Sequence, residues 1–511
     1  MRKEASVTKS PLTGKVGRLI YPLLSLILAS ALPSQATTFK VVDTAQDTCY
    51  DTTGVITAPL PGQPFYGQVA QFLGNQPSYQ NNGDGTTSDL NTGLMWVQAR
   101  GSMTTWDSAV AGASLCRVGG YTDWRMPTIK ELYSLIDFNG YCNTSASNSQ
   151  PFIDTTYFGF KYGDTTIGRL IDCQDWSGTT YVGLTMVGDT TDFGVNFADG
   201  RIKGYGKRDP RTGGQKRLYV RYVRGNTSYG TNRFVNNGDG TVSDTATGLM
   251  WQRSDNGAGL KWKDALAYAE TLTLAGYTDW RLPNPKELEG ILDYTHSPGA
   301  INPNQRGPAI DTTVFRITAI SNEGGYADYP WFWTNTTHKD GLISSPYTVA
   351  AYVCFGRALG WMQIPPHTYY SLLDVHGAGA QRSDPKTGSV SSYYLGVDSL
   401  GNPCYGRGPQ GDVIRITNYV RCVRLGLVLG VQGSNVQTPG KYATFHSYPN
   451  PFTVFATVPG HETENFKLYD ISGRMMGTYK GERIGEGLAA GVYFLRPASG
   501  NAKPLRIVKL R

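Results

Sequence analysis

The chain has 511 residues, with 47 lysines and arginines against 40 aspartates and glutamates, a formal net charge of +7. That surplus sits at the ends: residues 1–36 carry +4 and residues 441–511 carry +5, leaving −2 on the 404 residues between them. A polyanion-binding surface spread over the whole fold is thereby excluded, no nucleic-acid partner is expected, and any anion site must be local. Low charge (17%), 62 glycines and 32 tyrosines suit a turn-rich exported chain of many short strands.

Residues 1–36 read as a secretory signal. Arg2, Lys3, Lys9, Lys15 and Arg18 precede the apolar run Leu23–Ala29, and Ser34-Gln35-Ala36 offers small residues for cleavage. Pro22 and Pro33 bracket a run too short for a bilayer, and no other stretch approaches the ~20 apolar residues that a span needs. The expectation is a secreted or cell-surface protein, routed through the periplasm, with no transmembrane segment after signal cleavage.

A tandem repeat follows. Asn81-Asn82-Gly83-Asp84-Gly85-Thr86 and Thr92-Gly93-Leu94-Met95-Trp96 return as Asn236-Asn237-Gly238-Asp239-Gly240-Thr241 and Thr247-Gly248-Leu249-Met250-Trp251. Gly120-Tyr121-Thr122-Asp123-Trp124-Arg125-Met126-Pro127 returns as Gly276-Tyr277-Thr278-Asp279-Trp280-Arg281-Leu282-Pro283, and the offset drifts only from 155 to 156 residues. This is duplication of a whole module, 37–225 and 226–425, not a short solenoid. Each copy is long enough to bury a core of its own. Two linked sites would gain avidity, which suits a binding protein more than an enzyme.

Inside each module, Asn-Gly-Asp-Gly predicts a hairpin turn. Trp262, Ala265, Leu266 and Ala269 mark one face of a helix. Gly120 and Gly276 fall where a helix would end on a left-handed residue. Thr128 with Glu131, and Asn284-Pro285 with Glu287, are capping boxes that open a second helix, from which Leu132, Leu135 and Ile136, and Leu288, Ile291 and Leu292, face inward. Trp176, Trp331 and Trp333 are expected in the core. Tyr219–Arg224 and Tyr419–Arg424 are closing strands. Residues 426–440 form a linker, and 441–511 a small β-rich unit.

Several motifs admit a structural or a functional reading. The Asp-Trp-Arg string is read as structural, its tryptophan buried and its Asp–Arg pair satisfying nearby polar groups. Asp84 and Asp89, or Asp239 and Asp244, lack the complete spacing of a calcium loop, so a tight turn is preferred. Seven cysteines show no CxxC spacing; in an exported chain disulfides are the default, with Cys142–Cys173 and Cys404–Cys422 as local guesses. No metal or other cofactor is expected. No nucleophile elbow or His-Glu-x-x-His motif appears, and His296, His338, His367 and His376 all lie in the second module; no catalytic residue is assigned, and the chain is not expected to be an enzyme. The one local basic concentration is Arg201, Lys203, Lys207, Arg208, Arg211, Lys216, Arg217, Arg221 and Arg224 against Asp209. The first seven are the candidate ligand-binding residues, suited to sulfate or phosphate groups. Arg221 and Arg224 could equally project into solvent.

On Asp-Gly-Thr-x-x-Asp-x-x-Thr-Gly-Leu-Met-Trp, the Trp-x-x-Ala helix, Asp-Trp-Arg-(Met/Leu)-Pro-x-x-Lys-Glu-Leu and Tyr-Val-Arg-Cys-Val-Arg, both modules resemble the Lcl C-terminal domain family. The resemblance implies an α+β fold of two C-type-lectin-like modules (two helices, short antiparallel strands, long loops) and, from the namesake adhesin, recognition of sulfated glycosaminoglycans. A lectin-like cysteine link between first helix and last strand is broken here, since Cys116 faces a module ending in Tyr222 and Cys422 faces a helix with Ala269 and Leu272. Tyr448-Pro449-Asn450-Pro451-Phe452, Leu468–Arg474, Ala490–Phe494 and Ile507–Arg511 resemble a type IX secretion C-terminal sorting domain, implying the type IX secretion machinery as a partner and a small β-sandwich as its fold; a plain accessory β-sandwich is the alternative. The leading expectation is an adhesin-like exported protein recognising an extracellular glycan or other surface ligand. Behind it stand a glycan-modifying or formylglycine-generating-like enzyme and a structural envelope protein.

Overall fold

The structure, a computed structural model, describes residues 37–72, 74–209, 213–342, 345–426, 447, 449–470, 475–498 and 505–510. The signal segment 1–36, Arg211, most of the 426–440 linker, Tyr448, Ile471–Arg474 and Arg511 lie outside the described residues. The chain divides into two compact units, at Gly430.

In the first unit each repeat begins and ends in the same sheet. Tyr79–Asn81, Thr86–Asp89 and Leu94–Val97 form a meander that the last strand, Val223–Gly225, completes, with Trp96 opposite Val223 and Met95 opposite Arg224. The second repeat copies this with Phe234–Asn236, Thr241–Asp244, Leu249–Gln252 and Val423–Leu425, pairing Trp251 with Val423 and Met250 with Arg424. A three-stranded antiparallel sheet follows in each: Asp175–Thr180, Thr191–Asn196 and Arg201–Gly206, then Trp331–Thr337, Val349–Cys354 and Gln381–Pro385. The second repeat adds a five-stranded sheet within 359–413.

Helices are few and short: α1 (Trp106–Ala113), α2 (Ile129–Tyr133), α3 (Trp262–Thr271) and α4 (Pro285–Gly290). The expected α+β pair of lectin-like modules is therefore corrected: among the described residues 33% are strand and 11% helix, arranged as several small antiparallel sheets. The local signals hold. Thr128 with Glu131 and Asn284 with Glu287 form complete capping boxes, and Trp262, Ala265, Leu266 and Ala269 are the buried face of α3. What fails is extent. Helix α2 stops at Tyr133, and Leu135 and Ile136 are buried from the turns beyond it, because a cap fixes where a helix starts but leaves its length to tertiary packing. Gly120 and Gly276 are left-handed, at φ 78° each, within the turn that leads into Asp-Trp-Arg rather than at the end of α1 or α3.

The Asp-Trp-Arg string is structural in both copies. Trp124 and Trp280 are buried, their indoles donating to the carbonyls of Val118 and Leu274. Arg125 and Arg281 grip the capping-box carboxylates of Glu131 and Glu287 through both terminal nitrogens. Asp123 and Asp279 pair with the closing-strand arginines Arg224 and Arg424, which lie 3.8 Å over Tyr121 and Tyr277. Asp84 and Asp239 close their turns on the backbone and hydroxyl of Thr86 and Thr241.

The repeats share one core. Leu94, Trp96, Ile129, Leu132 and Phe193 from the first pack in the same cluster as Leu249, Trp251, Leu288, Ile291 and Phe332 from the second. Across the seam Lys130 donates to the carbonyl of Gly290 and Lys286 to that of Ser134, each at 2.8 Å. The contact is reciprocal at equivalent positions, like a self-complementary dimer interface inside one chain. The N-terminal segment crosses to the second repeat: Thr38 N donates to Ala246 O, Gln46 Nε2 to Thr337 O, and the Asp43 carbonyl accepts from Lys286.

None of the seven cysteines is in a disulfide, so the expected 142–173 and 404–422 bridges are absent. Six thiols are buried and serve as small apolar residues. In the second unit Met475–Lys480, Asn465–Asp470, Gly491–Pro497 and Leu505–Lys509 form one antiparallel sheet over Phe452, Val458, Leu468 and Ile507; among the described residues it is a single sheet, not the expected sandwich.

Candidate functional site

The basic concentration after residue 200 is split by strand geometry. Side chains alternate along Arg201–Gly206; Arg201 and Lys203 face the second repeat, while Tyr205 packs on Trp176 in the first. Arg201, 3% exposed, pairs with Asp199 at 3.2 Å and with Asp340, and reaches Ser383 Oγ at 3.2 Å. Burial opposes its charge, but Asp340 and Asp199 outweigh that and hold its pKa above the ordinary value. Lys203, 4.0 Å from Asp199, is pushed down to about 8 by burial and then by Arg382. His338 and His376 lie in the same seam, lowered to about 3 and about 4, chiefly by burial, and so are neutral at pH 7. These groups hold the two repeats together.

The chain leaves that seam at Lys207. Its backbone N–H still bonds Thr190 O at 3.1 Å, and its side chain turns over α1. The ammonium stands 4.0 Å above the Trp106 ring, 3.5 Å from Asp107 and 3.6 Å from the buried Asp192. Trp106 is fixed by its indole bond to Ser177 O, 2.9 Å. Around this pair opens a cleft of about 430 Å³, lined by Trp106, Asp107, Lys207, Arg208, Gln215 and Lys216 among others. Arg208 and Arg217 are exposed, with Arg217 outside the lining; Arg211 lies outside the described residues. Three of the seven candidates, Lys207, Arg208 and Lys216, thus converge on one concave surface, the usual form of a binding site.

Neither Arg221 nor Arg224 projects freely. Arg221 is fully buried, donating to the carbonyls of Val97, Gln98 and Gly159, and Arg224 covers Tyr121. Trp106, missed as a site residue, was visible as the first residue of the Trp-x-x-Ala helix.

The second repeat repeats this pair. Lys386 N bonds Thr348 O, the register position of Lys207 and Thr190, and its ammonium lies 4.3 Å over Trp262, whose indole donates to Thr334 O. Here no cleft remains: Trp262 is 0% and Lys386 1% exposed. Residues 49–71 cover them, with Asp51 O accepting from Lys386 at 2.6 Å, Phe65 6.1 Å from Trp262, and Gly62 N on Glu270 at 2.5 Å.

The model of the Lcl C-terminal domain family matches residues 85–224 and 240–365, together more than half the chain. No curated protein matches it. Among solved structures, PorZ of Porphyromonas gingivalis, described as an essential bacterial surface component of the type-IX secretion system, aligns at 12% identity over 82% of this chain and 58% of its own, with a TM-score of 0.12. This chain thus spans less than two thirds of that protein, and a score that low marks no common fold.

Proposed function

Because the chain belongs to the Lcl C-terminal domain family, and carries its domain twice, we propose that it is a surface or secreted, adhesin-like binding protein whose first repeat holds the sulfate groups of an extracellular glycan. One observation carries this reading. Lys207, Arg208 and Lys216 ring an open cleft beside a tryptophan, with Asp107 as the exposed acid, on a body whose net charge is otherwise slightly negative. Clustered cations beside an aromatic face suit sulfates through charge-assisted contacts and the apolar face of a sugar ring through packing. Among the described residues no helix is long and apolar enough to cross a membrane. Residues 441–511 are assigned in the same proposal as the export address, on their sequence motifs; deleting them should halt export and leave glycan binding intact.

The test is titration of the full chain with a heparin-like polymer at rising salt. Affinity should fall steeply, since exposed charges are screened beyond ~8 Å at physiological ionic strength. Replacing Lys207, Arg208 and Lys216 together by glutamine should lower affinity at least about tenfold, measured well below the melting temperature of the variant, which loses the contact between Lys207 and the buried Asp192. Salt-independent binding, or binding unchanged by the triple replacement, would remove the proposal.

A further inference from the structure

Both repeats place a lysine ammonium over a tryptophan ring at the same register position, and only the first pair is open. In the second, an acceptor oxygen, Asp51 O, sits on Lys386, and apolar groups lie along α3: Phe65 beside Trp262, and Gly67 with its Cβ position 3.6 Å from Leu266. Farther along that face Glu270 holds Gly62 N. The 156-residue offset puts Val110 at the position of Leu266 and Ser114 at that of Glu270. Val110 is 42% exposed, and Ser114 is exposed. The face that α3 gives to residues 49–71 is therefore bare on α1.

We propose that the ligand of the first repeat lies along α1 as residues 49–71 lie along α3, setting an acceptor oxygen on Lys207 and an apolar face on Trp106 and Val110. The track comes from the internal repeat; the ligand's identity rests on the glycan reading above. Charge decides between occupants. A neutral backbone carbonyl satisfies the single Lys386, whereas the first cleft is lined by Lys207, Arg208 and Lys216 against the one acid Asp107, a net positive lining that favours charged oxygens. A sulfated sugar supplies those together with the hydrocarbon face of its ring. Because residues 49–71 fill the second copy, the chain has one site, and the duplication gives no avidity by itself.

The experiment is calorimetric titration of the full chain with a size-defined heparin oligosaccharide. One oligosaccharide should bind per chain. Val110→Asn, a neutral change on an exposed helix face, should weaken binding about fivefold, the effect of withdrawing one aliphatic contact, and leave the salt dependence unchanged; Val110→Phe should tighten it. Two oligosaccharides per chain, or an affinity indifferent to both Val110 variants, would overturn the inference. If the wild type ignores heparin but binds an acidic peptide with the same Val110 dependence, the track along α1 stands and the glycan reading falls. If it binds neither, both fall.

Discussion

Replacing Arg221 or Arg421 by methionine tests how the closing strand locks each repeat. Both side chains are fully buried. The Arg421 guanidinium donates to Gln252 O at 2.8 Å, Arg253 O at 2.5 Å and Arg316 O at 2.6 Å, and Arg221 makes the matching three bonds to Val97, Gln98 and Gly159. Each bond from a charged donor is worth roughly 1.5–3 kcal/mol, so losing three costs roughly 4–9. Against this stands the penalty of burying the charge: burial pushes both guanidinium pKa values down to about 10, which corresponds to on the order of 3 kcal/mol that methionine would relieve. Methionine also fills most of the stem's volume, so the cavity contribution is small. The net loss is on the order of 3 kcal/mol for either variant, or roughly 4 °C in melting temperature for a unit of this size. Calorimetry of both single variants checks it. A loss under about 1 kcal/mol, or a large effect in one repeat and none in the other, would refute the claim that these arginines serve as buried bridges to loop carbonyls.

Trp124→Ala and Trp280→Ala should each cost about 3–5 kcal/mol, as buried aromatic truncations do, and leave heparin affinity intact; lost binding at unchanged stability would make them contact residues. Native thiol labelling should modify Cys116 alone, the one half-exposed cysteine, and all seven after denaturation; fewer than seven would reveal a disulfide. Lys286, pushed down to about 8 by burial, should make stability rise with pH: the unfolded lysine keeps its proton to about 10.4, so the unfolded state binds more protons between those values. The stability of wild type relative to Lys286→Met should therefore improve by on the order of 2 kcal/mol from pH 8 to pH 10, read by urea denaturation at both; a constant difference would contradict the buried ammonium.

What the sequence made legible was local. Thr128 and Glu131 lie three residues apart, and Asp-Trp-Arg needs only its own turn and the closing strand, so their roles follow from short-range chemistry. Arg201 and Lys203 were legible as charges but not as interior ones, because the carboxylate and hydroxyl that meet Arg201 come from Asp340 and Ser383, more than 130 residues away. The sequence echo sets Lys386 opposite Arg211, in Asp-Pro-Lys-Thr-Gly against Asp-Pro-Arg-Thr-Gly, whereas strand register sets it opposite Lys207. Nothing in residues 49–71 marks them as the cover of α3; that follows from the shape of a site that another part of the chain completes.

The cover over α3 also orders events in time. Residues 49–71 are synthesised about 190 residues before Trp262, Leu266 and Glu270 exist to receive them. Through that interval Phe65 lacks Trp262 and Tyr50 lacks Tyr347, and the closing strand that completes the first repeat's own sheet, Val223–Gly225, emerges only near its end. Contacts of such long sequence separation are slow to form and leave apolar segments open to misassociation. The nascent N-terminal segment therefore depends on delay: it is a binding partner waiting for its receptor, and a chain stopped between the repeats would present it, permanently unmatched, to whatever else is nearby.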